Sequence, residues 1–216
     1  SFEKISGMRL RPPWFRLFSS SHRLLGKGEY GRVYEVKDQW GRTWAVKQGP
    51  LTEVDDVEKE AYYYQLFAAA GIGPKLYETD QNFYVDEKHT YIVMERACET
   101  LERFIRRTCP LTQSVQRDIE DKVRALFEKA LAMGVICVDQ KPSNILRRAD
   151  GTLMLTDFGG DFCYEIAQDG PGSGHDASKL LLLFLVFSIT VHDLCNVALF
   201  QRELCILSEV SNVAPR

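Results

Sequence analysis

The sequence has no hydrophobic run long enough to cross a membrane as a helix. Its most apolar stretch extends from Leu180 to Val191, which is shorter than the about 20 apolar residues that a transmembrane helix requires. We therefore predict that this stretch forms a buried helix and that the chain has no membrane span.

Histidine and cysteine are scarce and show no metal-binding spacing. The four histidines are scattered, and the six cysteines form no C-x-x-C pair. This distribution argues against a zinc site and predicts reduced thiols, as in a cytosolic protein. Strong positive charge is also lacking, because the net charge is −3. We therefore expect no nucleic-acid partner.

Several stretches instead carry groups suited to binding a nucleoside triphosphate and its metal. The first has glycines at Gly26, Gly28 and Gly31, followed by Val33, and fits the pattern G-x-G-x-x-G-x-V. Glycine is needed in such a strand–turn–strand because backbone N–H groups must approach phosphate oxygens closely. We predict a phosphate-covering β-hairpin here.

A lysine and candidate carboxylate partners follow this hairpin. The run from Thr43 to Lys47 has the apolar and aromatic content of a buried strand and ends in lysine. The next segment, residues 55–70, has the composition of a helix and offers two acidic candidates. Glu58 fits a capping box that starts at Asp55. We therefore predict that Glu60 forms the ion pair with Lys47.

The second half of the chain holds a loop and a triplet with further polar groups. Asp139, Lys141 and Asn144 lie close together in one predicted loop. A hairpin turned by Asp150-Gly151 separates this loop from the triplet Asp157-Phe158-Gly159. In addition, apolar residues at helical spacing predict a core-facing helix from Thr112 to Met133.

Together these motifs resemble the protein-kinase superfamily over most of residues 20–195. The resemblance implies an α+β, compact two-lobed fold, with a small β-rich N-lobe to about residue 95 and a reduced, mainly helical C-lobe beyond. It implies one minimal kinase domain over residues 1–216. It also implies ATP and Mg²⁺ as cofactors and transfer of the γ-phosphate to a protein serine or threonine.

The resemblance further implies catalytic or metal-binding roles for five residues, besides the catalytic role of Glu60 in positioning Lys47. Asp139 is expected to accept the proton of the substrate hydroxyl, and Lys141 to neutralise charge on the transferred phosphoryl group. Asn144 and Asp157 are expected to ligate Mg²⁺. Lys47 is expected to bind the α- and β-phosphates.

The expected nucleotide site also includes residues around the adenine ring. Met94 takes the gatekeeper position of a predicted strand, and the backbones of Glu95 and Ala97 are expected to face the adenine edge. Three apolar side chains are expected to sandwich the ring: Val33, Ala45 and Leu146.

Departures from the usual kinase pattern suggest a narrower resemblance. Cys137-Val138 replaces the usual His-Arg, and no A-P-E sequence follows the D-F-G triplet. Without that arginine, activity is expected to be constitutive or partner-controlled. With its 216 residues, the chain resembles small kinases that bacterial pathogens inject into host cells, above all the HopBF family of type III effectors.

The HopBF resemblance implies a partner and a location. The substrate would be a host protein, the eukaryotic heat-shock protein 90 chaperone, and the enzyme a monomer secreted by a type III system into the host cytoplasm. The similar OspG and NleH effectors imply ubiquitin machinery as the partner instead. Outside the effector interpretation, a cytoplasmic location is expected.

Two other functions remain open from the sequence. A small-molecule kinase of the aminoglycoside or choline type would share the fold, and the segment from Gly71 to Leu76 resembles such enzymes, although they usually lack a counterpart of Lys141. A pseudokinase acting as a binding module would explain the missing His-Arg. Against it, the chain keeps all the principal active-site residues: Lys47, Asp139, Asn144 and Asp157.

Overall fold

The computed structural model describes residues 23–28, 31–51, 54–77, 83–159 and 163–165. The strands in these ranges are β1 (Arg23–Gly28), β2 (Gly31–Lys37), β3 (Thr43–Pro50), β4 (Tyr84–Val85), β5 (His89–Glu95), β6 (Glu99–Thr100), β7 (Val135–Cys137), β8 (Ile145–Arg147), β9 (Leu153–Leu155) and β10 (Cys163–Glu165). The helices are α1 (Val54–Ala69), α2 (Leu101–Thr108) and α3 (Gln113–Ala132). This mixture of strands and helices confirms the α+β class.

The chain separates into two compact units. The first comprises Ser1–Ala97 and Thr156–Cys163, and the second Cys98–Leu155 and Tyr164–Arg216. The D-F-G triplet thus belongs to the same unit as the N-terminal strands. The single-domain prediction over residues 1–216 stays a prediction.

The first unit is built on a five-stranded sheet with the order β1-β2-β3-β5-β4. The neighbouring strands are antiparallel. Only a few residues separate β2 from β3 and β4 from β5, which suits antiparallel pairing. Aromatic and β-branched side chains fill one core against this sheet, which suits a pleated, half-buried surface. They are Val36, Val46, Tyr77, Tyr84, Tyr91 and Val93, with Trp44 packed against them.

Helix α1 confirms the helix predicted over residues 55–70 and corrects the predicted capping box. The helix begins at Val54, so Asp55 lies inside its first turn and the capping box predicted to start at Asp55 is wrong. At the other end, Gly71 has a φ of 72°, and the N–H of Ile72 donates to the Phe67 carbonyl at 2.9 Å. Glycine suits this left-handed position because it has no Cβ.

The second unit places two helices beside short strands. Thr100 caps α2 by accepting the N–H of Arg103, and Thr112 caps α3 by accepting the N–H of Val115. The helix predicted from Thr112 to Met133 is confirmed, since these two residues are the caps of α3. Its buried residues follow helical spacing: Ile119, Val123, Leu126, Phe127 and Ala130.

The strands of the second unit position the predicted loop. Strands β6, β8 and β9 form one sheet, and β7 pairs with β10 in another. The loop lies between β7 and β8 and contains a 3-10 turn from Pro142 to Asn144. The predicted hairpin at Asp150-Gly151 is confirmed: β8 and β9 are antiparallel, and Thr152 donates its N–H to the Asp150 carboxylate at 2.9 Å.

Within the described ranges, none of the helices combines the length and the apolar character needed to cross a bilayer. The buried helix predicted from Leu180 to Val191 lies outside the described residues.

Candidate active site

Lys47 contacts two carboxylates at the centre of the first unit. Its Nζ lies 2.6 Å from Glu60 Oε1 and 2.8 Å from Asp157 Oδ1. Lys47 is brought there by β3 and Glu60 by α1. The prediction that Glu60 pairs with Lys47 is confirmed, and Glu58 is exposed.

Burial and the charge of the partner shift the pKa of each group in this ion pair in opposite directions. The side chains of Lys47 and Glu60 are only 12% and 5% exposed. Burial alone would lower the pKa of Lys47, but Glu60, Tyr64 and Asp157 together outweigh it and raise the pKa above its usual value. Burial also raises the pKa of Glu60, against the attraction of Lys47. Because the 2.6 Å separation is that of a charge-assisted hydrogen bond, we describe the pair as ionised.

The D-F-G triplet packs directly against α1. The Phe158 ring contacts those of Tyr64 and Phe67, with centroid distances of 4.7 Å to each. The Phe158 N–H donates to the Glu60 carboxylate. A Cβ on Gly159 would lie 3.2 Å from Glu60 Oε2, so this glycine allows the backbone to pass close to the ion pair.

Tyr64 is a residue of this cluster that the sequence analysis missed. It follows Glu60 by one helical turn and is 1% exposed. Its hydroxyl oxygen accepts the Asp157 N–H at 3.1 Å and lies 2.8 Å from Thr156 Oγ1. The i, i+4 spacing from Glu60 on the same helix face is the signal that could have identified it.

The glycine-rich stretch forms two paired strands, as predicted. Strands β1 and β2 are antiparallel, with Gly28 opposite Gly31 and Gly26 opposite Val33. At Gly31, φ is 141° and an added Cβ would lie 2.0 Å from the Gln48 carbonyl oxygen. Only glycine fits there, whereas a Cβ on Gly26 or Gly28 meets nothing within 4 Å.

The residues predicted around the adenine are placed on β3 and β5. Ala45 lies opposite Met94 in the antiparallel register, and both are buried. The Glu95 N–H donates to the Lys75 carbonyl at 2.7 Å. The contribution expected from the Glu95 backbone is therefore limited to its carbonyl oxygen. Ala97 follows β5 at the end of this stretch of the first unit.

The predicted loop forms a compact hydrogen-bonded group in the second unit. Lys141 Nζ donates to Asp139 Oδ2 at 2.8 Å. Asn144 Nδ2 donates to the Asp139 carbonyl at 2.8 Å and to Asp139 Oδ2 at 3.2 Å. These bonds fix the Asp139 carboxylate. Leu146 follows in β8, opposite Met154.

The structure thus divides the predicted site residues between the two units. The first unit holds Gly26, Gly28, Gly31, Val33, Ala45, Lys47, Glu60, Met94, Glu95, Ala97 and Asp157. The second unit holds Asp139, Lys141, Asn144 and Leu146. Their catalytic, nucleotide-binding and metal-binding roles stay predictions.

Asp157 and Asn144, one in each unit, carry oxygen donors of the kind that a hard divalent cation prefers. The Asp157 side chain is 41% exposed, so its carboxylate remains accessible although one oxygen contacts Lys47. Among the described residues, no three or more His, Cys, Asp and Glu side chains form a metal-binding group. A weakly held Mg²⁺ that shares its shell with water and phosphate needs only one or two protein ligands.

The cysteines depart from the predicted reduced state. Cys137 and Cys163 are disulfide-bonded, whereas Cys98 and Cys109 carry thiols. The prediction was wrong for the first two because it considered only spacing along the chain. The spacing of the cysteines along the chain gives no sign of this bonding. Cys195 and Cys205 lie outside the described residues.

Comparison with known proteins agrees with this geometry. Residues 19–170 match the family model described as "Protein kinase domain". The chain belongs to the protein kinase domain family. This kinase domain is 28% identical over 151 residues to "Probable serine/threonine-protein kinase PknB" of Lactococcus lactis, covering 67% of the chain and 24% of the relative.

Two further relatives are also protein kinases. "Serine/threonine-protein kinase nrc-2" of Neurospora crassa is 32% identical over 145 residues, covering 63% of the chain and 23% of the relative. "Aurora kinase C" of Mus musculus is 27% identical over 146 residues, covering 63% and 51%. The kinase domain therefore spans from about a quarter to half of the length of these relatives.

Proposed function

We propose that this kinase domain transfers the γ-phosphate of ATP to serine or threonine hydroxyls of a protein, with Mg²⁺ as the metal. The contact of Lys47 with both Glu60 and Asp157, at 2.6 and 2.8 Å, is the observation that carries the proposal. It joins the cation that would bind phosphate to the carboxylate that would bind the metal. The matched serine/threonine kinases support the choice of acceptor.

The first unit supplies the nucleotide site on this proposal. The glycine-rich strands would cover the phosphates, because Gly26 and Gly28 present backbone without side chains. Lys47, held by Glu60, would bind the α- and β-phosphates. The side chains of Val33 and Ala45 would contact the adenine, and Leu146 stays a predicted third contact.

The second unit supplies the group that acts on the acceptor hydroxyl. Asp139 would accept a hydrogen bond from that hydroxyl and take its proton as the phosphoryl group is transferred. Lys141, which contacts Asp139 at 2.8 Å, would balance charge on the transferred group. Asp157 and Asn144 would hold Mg²⁺, which when bound neutralises charge on the phosphates.

A narrower proposal concerns the substrate and the place of action. The acceptor is a host protein, the eukaryotic heat-shock protein 90 chaperone, and the kinase acts as a monomer in the host cytoplasm after type III secretion. Its support is the resemblance to the HopBF effectors, with Cys137-Val138 in place of His-Arg and no A-P-E after the D-F-G triplet.

The proposal is tested by adding the chain, with radiolabelled ATP and Mg²⁺, to a eukaryotic cytosolic lysate. Asp139→Asn is the matched variant, because asparagine keeps the size of a half-buried side chain. We expect labelled phosphoserine or phosphothreonine with the wild type, reduced at least about 100-fold in the variant. A labelled band with the size and antibody reactivity of the chaperone supports the narrower proposal.

The other outcomes separate the competing functions. Labelled proteins without the chaperone would contradict the proposed substrate and leave the kinase activity supported. If no protein is labelled, a parallel assay with aminoglycoside and choline acceptors decides between a small-molecule kinase and a pseudokinase. Either result would contradict the proposed function.

A further inference from the structure

Asp157 has a backbone conformation that needs support. Its φ of 64° is the only positive value at a non-glycine residue in the described ranges. Residues with a Cβ disfavour this left-handed region because of steric crowding. The direction of the Asp157 carboxylate depends on this backbone geometry, so whatever stabilises it also aims the carboxylate.

The hydroxyl of Tyr64 supplies such support. It accepts the backbone N–H of Asp157 at 3.1 Å, and it can still donate its own proton to Thr156 Oγ1 at 2.8 Å. A tyrosine hydroxyl ordinarily keeps its proton at neutral pH, so this donor is available. A phenylalanine would fill the same space and provide neither bond.

The Tyr64 ring has a separate role from its hydroxyl. The ring packs edge-on against Phe158 with centroids 4.7 Å apart, and this contact is available to any aromatic residue. The hydroxyl alone reaches the Asp157 backbone. Replacing the tyrosine by phenylalanine therefore removes the support of Asp157 and leaves the packing of Phe158 in place.

We propose that Tyr64 is a positioning residue whose hydroxyl holds the Asp157 backbone so that the Asp157 carboxylate points toward bound Mg²⁺. Helix α1 then places both charged groups, Lys47 through Glu60 and Asp157 through Tyr64. The link to Mg²⁺ rests on the proposed function, whereas the link between the hydroxyl and the Asp157 backbone does not.

Amide hydrogen exchange of the full chain tests the backbone link without any need for activity. In Tyr64→Phe, we expect the Asp157 amide, followed by NMR, to exchange at least about tenfold faster than in the wild type, because its acceptor is lost. Tyr62→Phe makes the same chemical change at a side chain that is 48% exposed. In this control, the Asp157 amide should exchange at the wild-type rate. Equal Asp157 exchange in all three proteins would overturn the inference.

The Mg²⁺ dependence of phosphate transfer tests the positioning role. We expect Tyr64→Phe to raise the Mg²⁺ concentration for half-maximal rate about tenfold, equivalent to about 1.4 kcal/mol. Saturating Mg²⁺ should restore most of kcat. A merely structural role would instead lower the rate by the same factor at every Mg²⁺ concentration, and that pattern would overturn the inference.

A second variant and a binding readout make the result decisive. Thr156→Val removes the threonine partner of the Tyr64 hydroxyl, but the hydroxyl can still accept the Asp157 N–H. The Mg²⁺ concentration for half-maximal rate should therefore shift less than about threefold. If the wild type transfers no phosphate, the proposed function fails. The binding of a fluorescent ATP analogue is then measured at varied Mg²⁺ concentration. The same Mg²⁺ dependence in Tyr64→Phe as in the wild type would contradict the inference.

Discussion

Replacing Glu60 by glutamine removes the negative charge that faces Lys47 and changes little else. The two side chains are 5% and 12% exposed and their charged atoms lie 2.6 Å apart. Glutamine has nearly the same size and can still accept a hydrogen bond from Lys47. The variant therefore isolates the charge of the pair from its packing.

The expected cost falls on both activity and stability. A hydrogen bond to a charged group contributes about 1.5–3 kcal/mol, so we expect kcat/KM to fall about 10- to 100-fold if Lys47 loses that restraint. Burying the Glu60 charge is itself unfavourable, and Asp157 remains 2.8 Å from Lys47. We therefore expect the free energy of unfolding to fall, but by less than the about 3–5 kcal/mol that is lost when a buried charge loses its sole partner.

Glu58→Gln is the matched control for this experiment. Glu58 lies on the same helix and is exposed. The activity and the stability of the Glu58→Gln variant should therefore stay near those of the wild type, within about 0.5 kcal/mol. Initial rates at varied ATP and urea denaturation measure the two quantities. An equal or larger loss of kcat/KM in Glu58→Gln would refute the argument that Glu60 positions Lys47.

Two further predictions concern stability. Gly31→Ala should lower the free energy of unfolding by about 2 kcal/mol or more, because its Cβ would lie 2.0 Å from a backbone oxygen. Gly28→Ala, where a Cβ meets nothing within 4 Å, should change it by less than about 1 kcal/mol in urea denaturation; equal losses would contradict the steric argument. At Asp38, burial alone would raise the pKa, but hydrogen bonds from Trp44, Arg42 and two backbone N–H groups lower it to about 2, from an ordinary value of 3.8. Because the pKa is lowered on folding, these bonds stabilise the fold above pH 3.8 and their contribution is lost as the pH falls toward about 2. Asp38→Ala should therefore be less stable than the wild type above that range, and the difference should shrink on acidification; a constant difference would contradict the assignment.

The features predictable from sequence are those that local patterns encode. The ends of α3 follow from Thr112 and Gly134, and the choice of Glu60 for Lys47 followed from its position within the predicted helix. The two residues of that pair are only 13 positions apart in the sequence. Glycine, capping residues and hydrophobic spacing carry such information because they act within one or two turns.

The features that were missed depend on contacts between distant segments. Tyr64 and Thr156 are 92 positions apart, and nothing local to either indicates their hydrogen bond. The bond from the Glu95 N–H to the Lys75 carbonyl was also missed, because backbone pairing leaves no side-chain signal. The start of α1 was misjudged by one residue, since acidic residues suit both a cap and a first turn.

The most direct test of the central claim compares the initial rate of γ-phosphate transfer from ATP–Mg²⁺ to cytosolic proteins for wild type and Asp157→Ala. The Asp157 side chain is 41% exposed, so the fold is expected to persist in the variant, which circular dichroism checks. The account predicts transfer to serine and threonine by the wild type and a loss of at least about 100-fold in the variant. Equal rates in the two proteins, or no transfer by the wild type, would contradict the account.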